Sequence, residues 1–282
     1  MQLVESIPAL REAVQKWRTA GESIAFVPTM GNLHSGHLRL VEEAKRLADR
    51  TVVSVFVNPS QFCAGEDFDA YPRTPEADAA KLSDMGTDLL FLPKAMEIYP
   101  KGTIAVTFVE VPGLSDDLCG RFRPGHFRGV TTIVCKLFWM VQPDVAVFGE
   151  KDFQQLTLIR LMVADLNIPV HIHAVPTVRE ANGLAMSSRN GYLTAEEKTR
   201  AALLYRCLTA AKTGLEAGRR DYGAIEAEQV ETLQQAGFRP DYFAIRRSLD
   251  LTSPTGDERE FVILVAAWLG KTRLIDNLQT SI

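Results

Sequence analysis

The chain has 282 residues, 46% of them hydrophobic, enough for one large domain or two modest ones with a substantial core. A net charge of -4 and a pI of about 5.8 argue against a general binder of nucleic acid or of acidic membranes. The longest apolar run, residues 261–269, is far too short to span a bilayer, and the four scattered cysteines imply no disulfide framework and suit a reducing cytosol.

The chain starts without the basic and apolar segments of a signal peptide, and with Ser6 as N-cap and Pro8 in the first turn of a helix that Gly21 ends. An apolar run over 24–27 reads as a buried parallel strand. The chain then turns through Pro28 and Gly31, and a helix opens at Gly36-His37 with Leu38, Leu40, Val41, Ala44 and Leu47 on its apolar side. A strand, a glycine turn and a helix start together make an anion site, because free N–H groups and the positive end of the helix dipole point at the ligand. His34 and His37 lie one helical turn apart and can face the same pocket. Two solvated loop histidines or a metal pair are the plainer alternatives, although zinc lacks a nearby Cys, Asp or Glu at ligand spacing.

A second buried strand is expected over 52–57. It ends in Asn58-Pro59-Ser60-Gln61, at the carboxyl end of a parallel strand where ligands gather. Simple turn chemistry explains Asn58 and Gln61 equally well. Residues 65–75 are polar and turn-rich and read as a mobile flap, and a helix follows over 76–85. Asp78 on that helix is a candidate Mg²⁺ ligand, with a solvated helix-face carboxylate as the alternative. Strands are expected over 88–92 and 104–109.

Arg121, Arg123, His126 and Arg128 form a basic loop that suits an anionic ligand, in a chain that is acidic overall. The strongly apolar helix 130–141 behind it carries a single charge, Lys136, and is expected to be deeply packed, with another subunit as one way to cover it. A strand over 145–148 runs into Gly149-Glu150-Lys151-Asp152, a second strand–glycine–helix site. Lys151 opposes the helix dipole there, a conflict that an anionic ligand would remove. Gln155 lies one turn further on. The strand over 169–175 carries His171 and His173, which are read as a solvent-facing pair without a role.

The loop Met186-Ser187-Ser188-Arg189 offers two hydroxyls and a guanidinium for phosphate contact, with an ordinary serine-rich turn as the alternative. From Thr194 the pattern changes to a long capped helix, a helix over 222–236 and strands over 241–247, 261–268 and 273–277. The fold class is therefore α/β: a Rossmann-like doubly wound parallel sheet over 1–177, followed by a smaller C-terminal α+β domain over 178–282 that could close over the site.

The His34-Ser35-Gly36-His37 and Met186-Ser187-Ser188-Arg189 elements resemble the two signatures of the nucleotidyltransferase and class I aminoacyl-tRNA synthetase superfamily. Six motifs in order make the resemblance narrower. They are Pro28-Thr29-Met30-Gly31 with the two histidines, Phe56-Val57-Asn58-Pro59-x-Gln61-Phe62, Tyr71-Pro72-Arg73-Thr74, Arg123-Pro124-Gly125-His126-Phe127, Gly149-Glu150-Lys151-Asp152 with Gln154-Gln155, and Met186-Ser187-Ser188-Arg189-Asn190. Together they resemble the pantoate–β-alanine ligase family over most of the chain.

That resemblance implies amide synthesis from pantoate and β-alanine with ATP and Mg²⁺, through a pantoyl adenylate. It implies an ATP site of Met30, Gly31, Asn32, Leu33, His34, Ser35, Gly36, His37, Gly149, Glu150, Lys151, Asp152, Val178, Met186, Ser187, Ser188 and Arg189. His37, His34 and Lys151 would act on the reacting phosphates, Gln61 and Gln155 would hold pantoate, Asn58 and Arg123 are further substrate candidates, and Asp78 is the magnesium candidate. It also implies a cytoplasmic homodimer with no nucleic-acid or membrane partner. Another nucleotidyltransferase and a nucleotide-binding regulator are the competing readings.

Overall fold

The computed structural model describes every residue of the chain except Ala105. By packing, the chain divides into two compact units. The first comprises residues 1–150 and 158–176, and the second residues 151–157 and 177–282.

In the first unit six parallel strands form one sheet in the order β1 (Gln2–Val4), β4 (Leu89–Phe91), β3 (Arg50–Val55), β2 (Ile24–Thr29), β5 (Val145–Gly149) and β6 (His171–Val175). The chain winds outward from β2 through β3 to β4, then returns to the other side of β2 for β5 and β6. The order therefore reverses between β2 and β5, where open α/β sheets form a crevice at the carboxyl ends of their strands.

Period-two alternation on β2 sorts its residues between two helical layers. Ala25 and Val27 join Val41 and Ala44 of α2 (Ser35–Leu47) in one core, with Val53 and Val147 from the flanking strands. Phe26 points the other way and meets Phe138 of α6 (His126–Val141) edge to face, with ring centroids 6.5 Å apart. Helix α1 (Ile7–Thr19) starts as expected: the Ser6 hydroxyl accepts the Ala9 N–H at 3.4 Å, and Pro8 occupies the first turn. Helix α3 (Pro75–Asp84) leads into β4, and two single turns, α4 (Ala95–Ile98) and α5 (Cys119–Phe122), lie between β4 and α6. Leu47 departs from the expected apolar face of α2, being 38% exposed at its last turn.

The strand expected over 104–109 does not form among the described residues there, which are turn and irregular chain, and Ile104 is 99% exposed. Both edges of β4 are already paired, with β3 and with β1, so the sheet offers no place beside it. Strand β1 itself was too short to stand out in the sequence.

The second unit is built on an antiparallel sheet, β7 (Arg239–Arg247), β8 (Glu260–Leu269) and β9 (Thr272–Ser281), in that order. Phe261, Ile263, Val265, Ala267 and Leu269 alternate along β8 and share a core with Leu204, Leu208, Ala211 and Leu215 of α9 (Leu203–Glu216) and with Ile225 and Leu233 of α10 (Tyr222–Gln235). The long helix expected from Thr194 is two helices, α8 (Ala195–Ala201) and α9, which meet at Ala202. Its start is as expected: Thr194 caps the Glu197 N–H and Glu197 returns a carboxylate oxygen to the Thr194 N–H. Helix α7 (Phe153–Asp165) begins in the second unit and ends in the first.

Candidate active site

The turn after β2 has a shape that only its own residues permit. Gly31 sits at φ +83°, and a Cβ there would lie 2.9 Å from Val55 Cγ1 and 3.0 Å from Asp78 Oδ2. The Asp78 carboxylate accepts the N–H groups of Asn32 and Leu33, each at 2.8 Å, and the Thr74 hydroxyl at 3.2 Å. Three residues along α3, Lys81 Nζ donates to the Leu33 carbonyl at 2.6 Å. One turn of α3 thus grips both edges of the peptide chain leading to the histidines.

The histidines cap their own helix. His34 is the N-cap of α2; its Nδ1 accepts the Gly36 N–H at 3.1 Å, and His37 Nδ1 accepts the His34 N–H at 3.4 Å. The ring centroids are 4.1 Å apart. A ring nitrogen that accepts carries no proton, so each neutral imidazole keeps its hydrogen on Nε2. The cap therefore turns both rings into Nε2–H donors, the polarity that phosphate oxygens require. Ser35 and Gly36 form the first turn of α2.

The turn after β3 holds Asn58 and Gln61, which are 1% and 8% exposed. Asn58 Nδ2 donates to Gln61 Oε1 at 3.0 Å and to the Gly129 carbonyl at 3.2 Å, while its Oδ1 accepts the hydroxyls of Tyr99 and Ser60, both at 2.9 Å. Those four contacts exhaust the amide. Asn58 thereby supports Gln61. Gln61 Nε2 is directed at Met30 Sδ, 3.1 Å away, which joins this turn to the histidine turn.

Two further candidates from the sequence are engaged by protein groups in the first unit. Asp78 is fully buried with both oxygens engaged by protein donors. No group of three His, Cys, Asp or Glu side chains suited to a metal occurs among the described residues. The Arg123 guanidinium is engaged by two protein side chains. It forks onto both oxygens of Glu66, at 2.5 and 2.8 Å, and its Nη1 meets His126 Nε2 at 2.8 Å. The segment read as a flap is tied at several points. Arg73 donates to the carbonyls of Phe68, Asp69 and Tyr71, and Phe62 packs against Phe68 and Tyr71.

Gly149 and Glu150 lie at the end of β5, beside the crevice. Lys151 and Asp152 continue in a 3₁₀ turn that belongs to the second unit. The reason is visible in β9, where Asn277 Nδ2 donates to the Lys151 carbonyl at 2.8 Å. Lys151 Nζ stands 3.9 Å from Asp152 Oδ1, a loose pairing. Gln155 is half-buried in the first turn of α7.

Val178 and Met186 are joined by a Met186 N–H to Val178 carbonyl bond of 3.0 Å, so the chain folds back on itself before the serine loop. Ser187 caps the following turn by accepting the Arg189 N–H at 3.3 Å, and Ser187, Ser188 and Arg189 are all half-buried. Beneath this fold-back, Arg179 forks onto Asp276 at 2.7 and 3.0 Å, donates to the carbonyls of Gly183 and Asn277, and stacks on Tyr205 with its guanidinium carbon 3.9 Å from the ring centroid. Burial pushes the Asp276 carboxyl above its ordinary value, against the opposing pull of Arg179. The sequence reading gave no role to Arg179, Asp276 or Asn277. An acid and an amide side by side directly after the apolar pair Leu274-Ile275 of β9 were the signal.

A family model described as pantoate-beta-alanine ligase matches residues 2–279. A pantothenate synthetase of Methylococcus capsulatus is 57% identical over 282 residues, 100% of this chain and 99% of that protein. The crystal structure of pantothenate synthetase from Thermus thermophilus superimposes with a TM-score of 0.92 at 45% identity, covering 99% of each chain. The pantoate-beta-alanine ligase of Francisella tularensis, complexed with beta-gamma ATP and beta-alanine, gives a TM-score of 0.83 at 33% identity over 99% of this chain and 97% of that one. By these matches over its whole length the chain belongs to the pantoate–β-alanine ligase family, ligases that form pantothenate from pantoate and β-alanine.

Proposed function

We propose that this chain makes that amide in two steps at the expense of ATP. A pantoate carboxylate oxygen attacks the α-phosphorus and pyrophosphate leaves, giving pantoyl adenylate. The β-alanine nitrogen then attacks the acyl carbon, loses a proton, and AMP departs. The observation that carries this reading is the histidine cap at the sheet's reversal point, which leaves two Nε2–H donors beside α2. An attack of one anion on another needs alignment and charge stabilisation, not a protein nucleophile. The Francisella relative was crystallised with a nucleotide and β-alanine, which supports the same pair of ligands here.

In this reading His34 and His37 donate hydrogen bonds to the phosphates, and Lys151 neutralises the charge that builds on them. The chain of Met30, Gly31, Asn32, Leu33, Ser35 and Gly36 lines the nucleotide, as do Gly149, Glu150, Asp152, Val178, Met186, Ser187, Ser188 and Arg189. Gln61 and Gln155 hold pantoate. The homodimer and the cytoplasmic setting belong to the same proposal. Among the described residues no helix is long and apolar enough to cross a membrane.

The test is product analysis of the purified protein with Mg-ATP, omitting each acid in turn. Pantoate alone should yield about one pyrophosphate per site and a bound pantoyl adenylate, and adding β-alanine should release AMP and pantothenate. Pyrophosphate that appears only when β-alanine is present, with no adenylate trapped by acid quench, would break the two-step order.

A further inference from the structure

Gln61 is held at both ends. Its side-chain oxygen takes Asn58 Nδ2, and its backbone carbonyl takes His126 Nδ1 at 2.7 Å. His126 is 8% exposed and stands at the start of α6. The far side of the same ring faces Arg123 Nη1 at 2.8 Å. A guanidinium only donates, so Nε2 must accept; a carbonyl only accepts, so Nδ1 must carry the hydrogen. The two partners fix one neutral tautomer between them.

Beyond Arg123 lies Glu66, whose two oxygens take the guanidinium fork and one of which also accepts the Cys63 N–H at 3.1 Å. Each link is largely shielded from water, with side-chain exposures of 13% for Arg123 and 20% for Glu66. The helix itself presses on the turn: a Cβ at Gly129 would fall 2.2 Å from the Ser60 carbonyl oxygen and 2.7 Å from Gln61 Cα. A buried bidentate pair ending on an imidazole and then on a single peptide carbonyl is a device for holding that peptide still.

We propose that Glu66, Arg123 and His126 form a positioning chain that sets Gln61, and through it the affinity for pantoate, without touching substrate. This rests on Gln61 being a pantoate contact, as argued above. It also gives the basic loop a purpose. Arg123 is conspicuous in the sequence because it is needed as a fork-shaped donor between a carboxylate and an imidazole, not as a counter-ion for a ligand.

Two substitutions separate the ring's functions. In His126→Asn a side-chain N–H stands near the place of Nδ1 and can still reach the Gln61 carbonyl, whereas His126→Ala leaves that carbonyl without its donor. Steady-state kinetics on the full chain should show His126→Ala raising the pantoate KM about tenfold, the scale of one lost buried hydrogen bond. The ATP KM should move less than about twofold, and His126→Asn should recover most of the loss. Equal rises in both KM values, or an Asn variant as poor as the Ala variant, would overturn the proposal.

Nitrogen-15 spectra of the wild-type ring provide a readout that needs no substrate. Protonated Nδ1 and bare Nε2 are expected, and the opposite tautomer would overturn the chain while leaving the Gln61 reading intact. Conversely, Gln61→Ala with an unchanged pantoate KM, alongside the expected tautomer, would remove Gln61 as a contact and with it the chain's proposed purpose.

Discussion

The turns after β2 and β3 are neighbours in the sheet, paired in register from Ile24 with Arg50 to Thr29 with Val55, yet they are held in opposite ways. In the first, the histidine rings are oriented by bonds to backbone N–H groups two and three residues away. In the second, Gln61 is oriented by His126, 65 residues on, and by Asn58, whose amide is itself anchored to Gly129, 71 residues on. The histidine rings take their orientation within their own turn, while α3 braces the chain before them through Asp78 and Lys81; Gln61 depends on α6 docking correctly. The groups proposed to donate to a reacting phosphate are oriented locally, and the group proposed to set substrate affinity is oriented by tertiary contact.

The sharpest way to break this comparison is to separate the cap from the donor. His37→Asn retains an acceptor for the His34 N–H through the amide oxygen and loses the Nε2–H. If capping and chemistry are separable, AMP release should fall about 10²- to 10³-fold, the usual cost of one donor to transition-state charge, while the melting temperature stays within a few degrees. An active His37→Asn enzyme would show that the histidine serves only as a cap.

Asp78 tests the support beneath the same turn. Asp78→Asn replaces one accepting oxygen by an NH₂ group facing a backbone N–H in a fully buried place. The expected loss, read by urea unfolding, is about 2–3 kcal/mol. The ATP KM should rise and the magnesium concentration for half-maximal rate should stay unchanged. A shifted magnesium requirement at unaltered stability would restore Asp78 as a metal ligand.

What could be read from the sequence divides along the same line. The Ser6 and Thr194 caps, the glycine turn and the buried strands β2, β3, β4 and β5 follow from contacts within a few residues and from apolar periodicity, and they were legible, whereas the order of the strands across the sheet was not. The apolar residues over 104–109 were over-read because hydrophobicity cannot say whether a sheet edge is vacant. Asp78 and Arg123 were recognisable as unusual charges, but the backbone N–H groups that Asp78 accepts lie 45 and 46 residues away and Glu66 lies 57 from Arg123, so these contacts could not be read from the neighbouring sequence. The Asn277 bond to Lys151, which spans 126 residues, was equally out of reach of the sequence.

The smallest expected effect comes from a turn closed as locally as the histidine cap but with no chemistry hanging on it. On the loop before β8, Glu258 accepts the N–H groups of Thr255 and Gly256 and the Thr255 hydroxyl, all within 2.8–3.0 Å. Those bonds, led by the Thr255 and Gly256 amides, pull its carboxyl from an ordinary 4.5 down to about 2. A depressed carboxyl contributes stability that is complete above the unfolded value and is lost as pH falls through the folded one. Glu258→Gln removes that titration, so thermal melts of the wild type should drop more steeply than those of the variant between pH 4.5 and 2, and the two curves should converge at the acid end. Activity near neutrality should be unchanged, because local closure matters to function only where it aims a reacting group. Melts that stay parallel down to pH 2 would mean the loop bonds do not persist in solution, and would weaken the argument that contacts of such short range suffice to hold a turn.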